Sequence, residues 1–138
     1  MKPINIQVMK VGIVSCSGEE LPEGTISRFA CRKVLDDLRQ TDTVTICLPL
    51  FIAGGQEERD FAKTYPTITV DGCEKRCAQI STERLSAKPK KSLVISEILQ
   101  RHGIKPPANL RNLTTDENTA VRVVAEELAK AVDEVLEG

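Results

Sequence analysis

Short apolar runs alternating with amphipathic segments predict an α/β fold for this 138-residue chain. The expected architecture is a small open parallel sheet of about four strands with helices on both faces, a Rossmann-like three-layer arrangement. Two observations carry it. The strand-like runs are β-branched and bounded by Gly, Pro and Asp, and an apolar stripe at helical spacing fills the last segment.

Met1–Val8 alternates apolar and polar residues and reads as strand-like rather than as a signal peptide. Val11–Ser15 is the first buried strand. After Pro22-Glu23-Gly24 a helix is expected near Thr25, with Ile26, Ala30, Val34 and Leu38 on one face. Thr43–Leu48 gives a second strand, stopped by Pro49. Gly54-Gly55 precedes a charged helix over about Gln56–Lys63, and Thr67–Val70 forms the third strand up to Asp71-Gly72. The next helix is expected over about Cys73–Leu85, with Lys91–Ile95 as fourth strand. A short helix then ends at Gly103 and Pro106-Pro107. Thr114 and Glu117 suggest a capping box for the C-terminal helix, about residues 115–137. Val121, Val124, Leu128, Val132 and Val135 form its apolar stripe, with Glu126 and Lys130 at pairing distance outside it. One domain over residues 1–138 accommodates all of this.

Composition removes several function classes. Three Phe, one Tyr and no Trp leave few stacking platforms, and a net charge of −1 lacks the cationic surplus that phosphate backbones demand, so no nucleic-acid partner is expected. Nothing approaches the roughly 20 apolar residues of a membrane span. The expected compartment is the cytoplasm, where thiols stay reduced and clustered cysteines favour metal binding or catalysis over disulfides.

The five cysteines therefore direct the functional reading. Cys16 follows the first strand, Cys47 closes the second and Cys73 follows the third. Parallel strands place their C-terminal ends on one edge, where open α/β sheets bind ligands. Cys77 lies four residues beyond Cys73 and would share its helical face. Four thiols converging on one point make the four-cysteine donor set of a closed zinc site. The net negative charge of four thiolates around Zn(II) is offset by backbone N–H groups at the start of the third helix. Gly72 would allow close backbone approach or a positive φ, and Asp71 would cap the helix or support the ligands rather than bind metal itself. Cys31 falls beside the Ile26–Leu38 stripe and reads as core packing.

Val14-Ser15-Cys16-Ser17-Gly18, then Ile46-Cys47-Leu48-Pro49 with Gly54-Gly55 downstream, then Asp71-Gly72-Cys73-x3-Cys77-Ala78 resemble the DGC-domain family in order. That family comprises small prokaryotic proteins named for the Asp-Gly-Cys motif and described as zinc-binding. The resemblance runs over roughly residues 10–100 and implies that Cys16, Cys47, Cys73 and Cys77 are the metal ligands. It implies no settled biochemical role.

Other readings of the same residues are weaker. A low-molecular-weight phosphatase loop needs an Arg about six residues after the nucleophile, and the first Arg after Cys16 is Arg28. Thioredoxin-like exchange needs Cys-x-x-Cys, and a radical-SAM motif needs a third cysteine soon after Cys77; both are missing. An iron–sulfur cluster suits four thiolates as zinc does. The main expectation is thus one Zn(II) in a structural or metal-handling role. The alternative is a zinc-thiolate or iron–sulfur enzyme of sulfur, methyl-transfer or redox chemistry, favoured by a cleft lined by Ser15, Ser17, Gly54 and Gln56. A redox sensor using Cys73 and Cys77 is a third class. His102 is expected at a helix end, Glu19 and Glu20 in a solvated loop, and Thr25 with Arg28 in capping and surface charge.

Overall fold

A computed structural model of the chain describes residues 9–105, 108 and 115–138. Its sheet has four parallel strands, β1 (Val11–Ser15), β2 (Thr43–Thr45), β3 (Thr67–Asp71) and β4 (Lys91–Val94), in the order β2-β1-β3-β4. The expected α/β class and strand number are therefore correct. Seven helices are described: α1 (Pro22–Lys33), α2 (Leu50–Ala53), α3 (Gln56–Arg59), α4 (Phe61–Thr64), α5 (Cys77–Leu85), α6 (Ile95–Arg101) and α7 (Thr115–Glu137).

From β1 the chain moves one way along the sheet to β2, and from there it returns past β1 to β3 and on to β4. Crossovers of one hand that travel in opposite directions must lie on opposite faces. The side chains follow that division. Val11 and Ile13 of β1, with Ile68 and Val70 of β3, join Ile26 and Ala30 of α1, Leu99 of α6 and Leu128 of α7 in the larger core. Val14 and Cys16 face a smaller cluster with Phe51, Phe61 and Ala78. Gly12 lies on this second face, where a Cβ would stand 2.6 Å from the Phe61 ring, so glycine leaves room for the ring against the strand.

Several boundaries differ from expectation. Helix α1 begins at Pro22 rather than Thr25, because proline at the first helical position forfeits no bonded N–H and arrives with a helical φ. It continues into a π-helical stretch, Val34–Leu38, where Arg39 N–H bonds the Val34 carbonyl at 2.8 Å. Strand β2 ends at Thr45, three residues early, and the chain turns through Leu48 into α2, a helical turn the sequence pattern did not signal. The expected helix at Gln56–Lys63 is two short turns broken at Asp60, with the Glu58 carboxylate accepting Gly55 N–H at 2.9 Å. The fourth strand hands over to α6 at Ile95.

On α7 the expected stripe packs against α1: Val124, Leu128 and Val132 are fully buried, with Val121 and Val135 half-buried at its ends. Glu126 pairs with Arg122 at 3.3 Å rather than with Lys130. The strand expected over Met1–Val8 and the capping box of Thr114 with Glu117 fall outside the described residues and side chains.

Candidate metal centre

Strands β1 and β3 are neighbours, and the chain leaves them in opposite directions. That is the switch point of an open α/β sheet, where diverging connections leave a crevice at the C-terminal strand ends. Cys16 is the first residue past β1, and its N–H still bonds the Val70 carbonyl at 2.9 Å. Its side chain is 9% exposed, and its Sγ accepts the Gly72 N–H at 3.3 Å across the crevice. Burial pushes the Cys16 thiol up; the Gly72 N–H opposes that, while the Asp71 carboxylate and the nearby Cys77 add to it.

The Asp-Gly-Cys segment supplies three different services. Asp71, 2% exposed, accepts the N–H groups of Ala78 at 2.7 Å and Gln79 at 3.1 Å, so it caps α5 from the end of β3 as expected. Burial raises its carboxyl pKa against the pull of those two N–H groups and of Arg76. Gly72 needs no positive φ; its requirement is space, since a Cβ there would stand 2.7 Å from the Gly24 nitrogen. Cys73 then opens a tight loop rather than a helix, with Arg76 N–H returning to the Cys73 carbonyl at 3.2 Å.

This corrects the expected placement of Cys77. Helix α5 begins at Cys77, not at Cys73, so the two thiols flank a turn instead of sharing a helical face. The turn is closed by Arg76 at φ 54°, the only non-glycine residue with positive φ among the described residues. Arg76 reaches Glu97 of α6 at 3.2 Å and Gln79 at 3.1 Å, which holds the strained residue in place.

Two features of the crevice were not foreseen. Gly18, at φ +62°, lies against Gly24 in the first turn of α1, where a Cβ on Gly24 would meet the Gly18 Cα at 2.3 Å. Gly18, Gly24 and Gly72 thus let three backbone segments meet beside Cys16. Behind them, buried Ser27 of α1 bonds the Ser15 hydroxyl at 2.8 Å and the Val70 carbonyl at 3.1 Å, tying α1 to both strands of the switch point. A serine inside the otherwise apolar Ile26–Ala30 face was the available signal.

The result is an open cleft of about 380 Å³ lined by Cys16, Cys73 and Cys77 together with Ser17, Glu19, Glu20, Lys75 and Arg76. Of the residues expected beside it, Ser17 is present, whereas Ser15, Gly54 and Gln56 are not. Cys47 also lies outside the cleft wall, exposed on the turn that leaves β2. Thus three of the four expected thiols share one cleft, and the fourth shares only the sheet edge. Among the described residues no three Cys, His, Asp or Glu side chains already stand close enough to hold an ion, so the donors are grouped but not drawn together. Their chemistry fits a thiophilic cation, with the start of α5 at Cys77 and the Gly72 N–H to offset negative charge.

The remaining candidates fall as expected or nearly so. Cys31 is buried in the larger core, and burial pushes its thiol up to about 12, which keeps it protonated at neutral pH. His102 is the exposed C-terminal cap of α6, away from the cleft. Arg28 engages Glu19 at 3.7 Å and the Thr25 hydroxyl at 3.5 Å. Glu19 and Glu20 are exposed, yet they form one wall of the cleft.

No helix among the described residues is long and apolar enough to cross a membrane. Neither the curated proteins nor the solved structures give a match to this chain. The family model described as DGC domain matches residues 12–135, which takes in all but the first residue of the sheet, the cleft and α7 as far as Val135. On that match, which extends beyond the three cysteine motifs to the C-terminal helix, the chain belongs to the DGC-domain family.

Proposed function

We propose that this DGC domain binds one Zn(II) at the C-terminal edge of its sheet, in a metal-handling or structural role. The observation that carries the reading is the grouping of Cys16, Cys73 and Cys77 around one cleft at the switch point. Thiolates are soft donors that select zinc among the abundant divalent ions, and three cysteines line the cleft. The sequence expectation places Cys47 as the fourth donor. When bound, the cation supplies the positive charge that keeps the thiolates ionised at neutral pH.

Elemental analysis of the full chain purified without oxygen, with an absorption spectrum of the same sample, tests this. The expected result is one zinc per chain and no visible colour. Brown protein holding iron and sulfide overturns zinc in favour of a cluster, and a folded, metal-free chain with freely titrating thiols overturns the metal site altogether.

A further inference from the structure

At the opposite edge of the sheet, the N-terminal ends of β1, β3 and β4 border an open groove of about 840 Å³, against about 380 Å³ for the thiol cleft. Met9, Pro66, Val135 and Leu136 supply its apolar wall, and Met9 is 58% exposed. Lys63, Lys88, Lys90 and Lys91 line the same groove. Even with the Gly138 carboxylate counted beside Glu134, four ammonium groups stand against two carboxylates. Glu134 engages Lys91, and Lys91, with Lys130 behind it, holds that carboxyl below its ordinary value. Lys63 leans on Asp60 at 3.7 Å. Lys88 and Lys90 have no ion-pair partner among the described residues.

A lysine in such a place often serves the fold, by offsetting the carbonyl end of a helix or by guarding an edge strand. Lys88 and Lys90 do neither, because α5 has ended at Leu85 with its cap at Ser86, and β4 begins at Lys91. Between them Pro89 is buried, and the Lys90 N–H donates to the Thr67 carbonyl at 2.8 Å, so the backbone fixes both lysines at the groove. An apolar wall with a few placed charges, in a hollow of about 300–1,000 Å³, is the make-up of a small-molecule site. We infer that this groove binds a small amphipathic carboxylate, its apolar chain against Met9, Pro66, Val135 and Leu136 and its anionic head at Lys88 and Lys90. The sign of the head follows from the surplus of ammonium groups, and the chain from the exposed Met9. A membrane surface would need these side chains on a flat or convex face, whereas they line a hollow. The inference is independent of the zinc reading, since the groove lies at the other end of the strands.

The test follows the backbone amide shifts of the full chain during titration with decanoate held below its micelle threshold. Acetate, which lacks the chain, and decyltrimethylammonium, which reverses the charge, are the controls. Decanoate should shift the amides of Met9, Lys88, Lys90 and the end of α7 to saturation, and neither control should. Lys88→Gln combined with Lys90→Gln should weaken decanoate binding roughly tenfold, two exposed charge contacts being lost. Met9→Ser should weaken it severalfold through lost apolar contact. Both variants should unfold as the parent chain does and keep its metal content. No shift at the groove, an equal response to the cationic compound, or unchanged affinity in the lysine variant would overturn the inference. So would binding to anionic phospholipid vesicles without any response to monomeric decanoate, which assigns the groove to a membrane surface.

Discussion

The two faces of the sheet are built to different ends. On one, α1, α6 and α7 bury a continuous set of Ile, Val, Leu and Ala against β1 and β3. On the other, short helical turns and α5 cover a smaller cluster in which Cys16 is itself a member. The first face has the apolar area to hold the fold, and the second carries the loops that meet at the cleft. The chain thus keeps Cys16 in the thinly packed cluster and Cys31 in the larger core, and leaves most of its stability to the latter.

That contrast is open to direct attack. Leu128 is fully buried in the α7 seam, and Leu128→Ala should cost about 2–5 kcal/mol in denaturant unfolding while leaving zinc stoichiometry intact under native conditions. Gly24→Ala should show the reverse emphasis. Its Cβ would meet Gly18 Cα at 2.3 Å, so the loop after Cys16 must shift; stability should fall by about 1–3 kcal/mol, and metal uptake should drop sharply. If zinc binding survives Gly24→Ala unchanged, the glycine contacts do not shape the site.

Cys31 sharpens the comparison through pH. Its thiol ionises near 9.0 when unfolded and near about 12 when folded, so between those values the folded chain holds a proton the unfolded chain has released. Stability from this group is complete below 9.0 and is lost as pH rises towards about 12, at about 1.4 kcal/mol per pH unit. Cys31→Ala should flatten the alkaline limb of a stability–pH profile by that slope, and an unchanged limb would contradict the enclosure of this thiol. The smallest effect belongs to Arg39 and Asp133, which pair through two bonds of 2.8 and 2.7 Å between the end of the π-helical stretch and α7. Arg39 holds the Asp133 carboxyl below its ordinary value of 3.8, so the pair contributes above that pH and is lost on acidification through the lowered pKa. Because Asp133 is 44% exposed, Asp133→Asn should cost under about 1 kcal/mol at pH 7, with the difference vanishing in acid.

Much of this was readable along the chain. The apolar runs at Val11–Ser15 and Thr67–Val70 marked buried parallel strands, and the stripe from Val121 to Val135 marked the helix that seals the larger core. Asp71 was recognisable as a helix cap, and Cys31 as packing. These are local patterns, since side-chain periodicity reports which face is covered without reference to distant residues.

What tertiary structure decided was which distant residues meet. The sequence put Cys16, Cys47 and Cys73 at successive strand ends, but only the order β2-β1-β3-β4 shows that the switch point falls between β1 and β3, with Cys47 leaving β2 on the other side of β1. Periodicity placed Cys73 and Cys77 on one helix, whereas the left-handed turn at Arg76, held by Glu97 from another element, delays that helix to Cys77. The packing of Gly18, Gly24 and Gly72 was likewise invisible, because a glycine announces freedom without naming the neighbour that uses it. Residue type and spacing therefore determined the fold class and the chemistry available at one sheet edge. Strand order and backbone approach determined which thiols share a cleft, since proximity between remote segments is a property of the packed chain and not of any stretch of it.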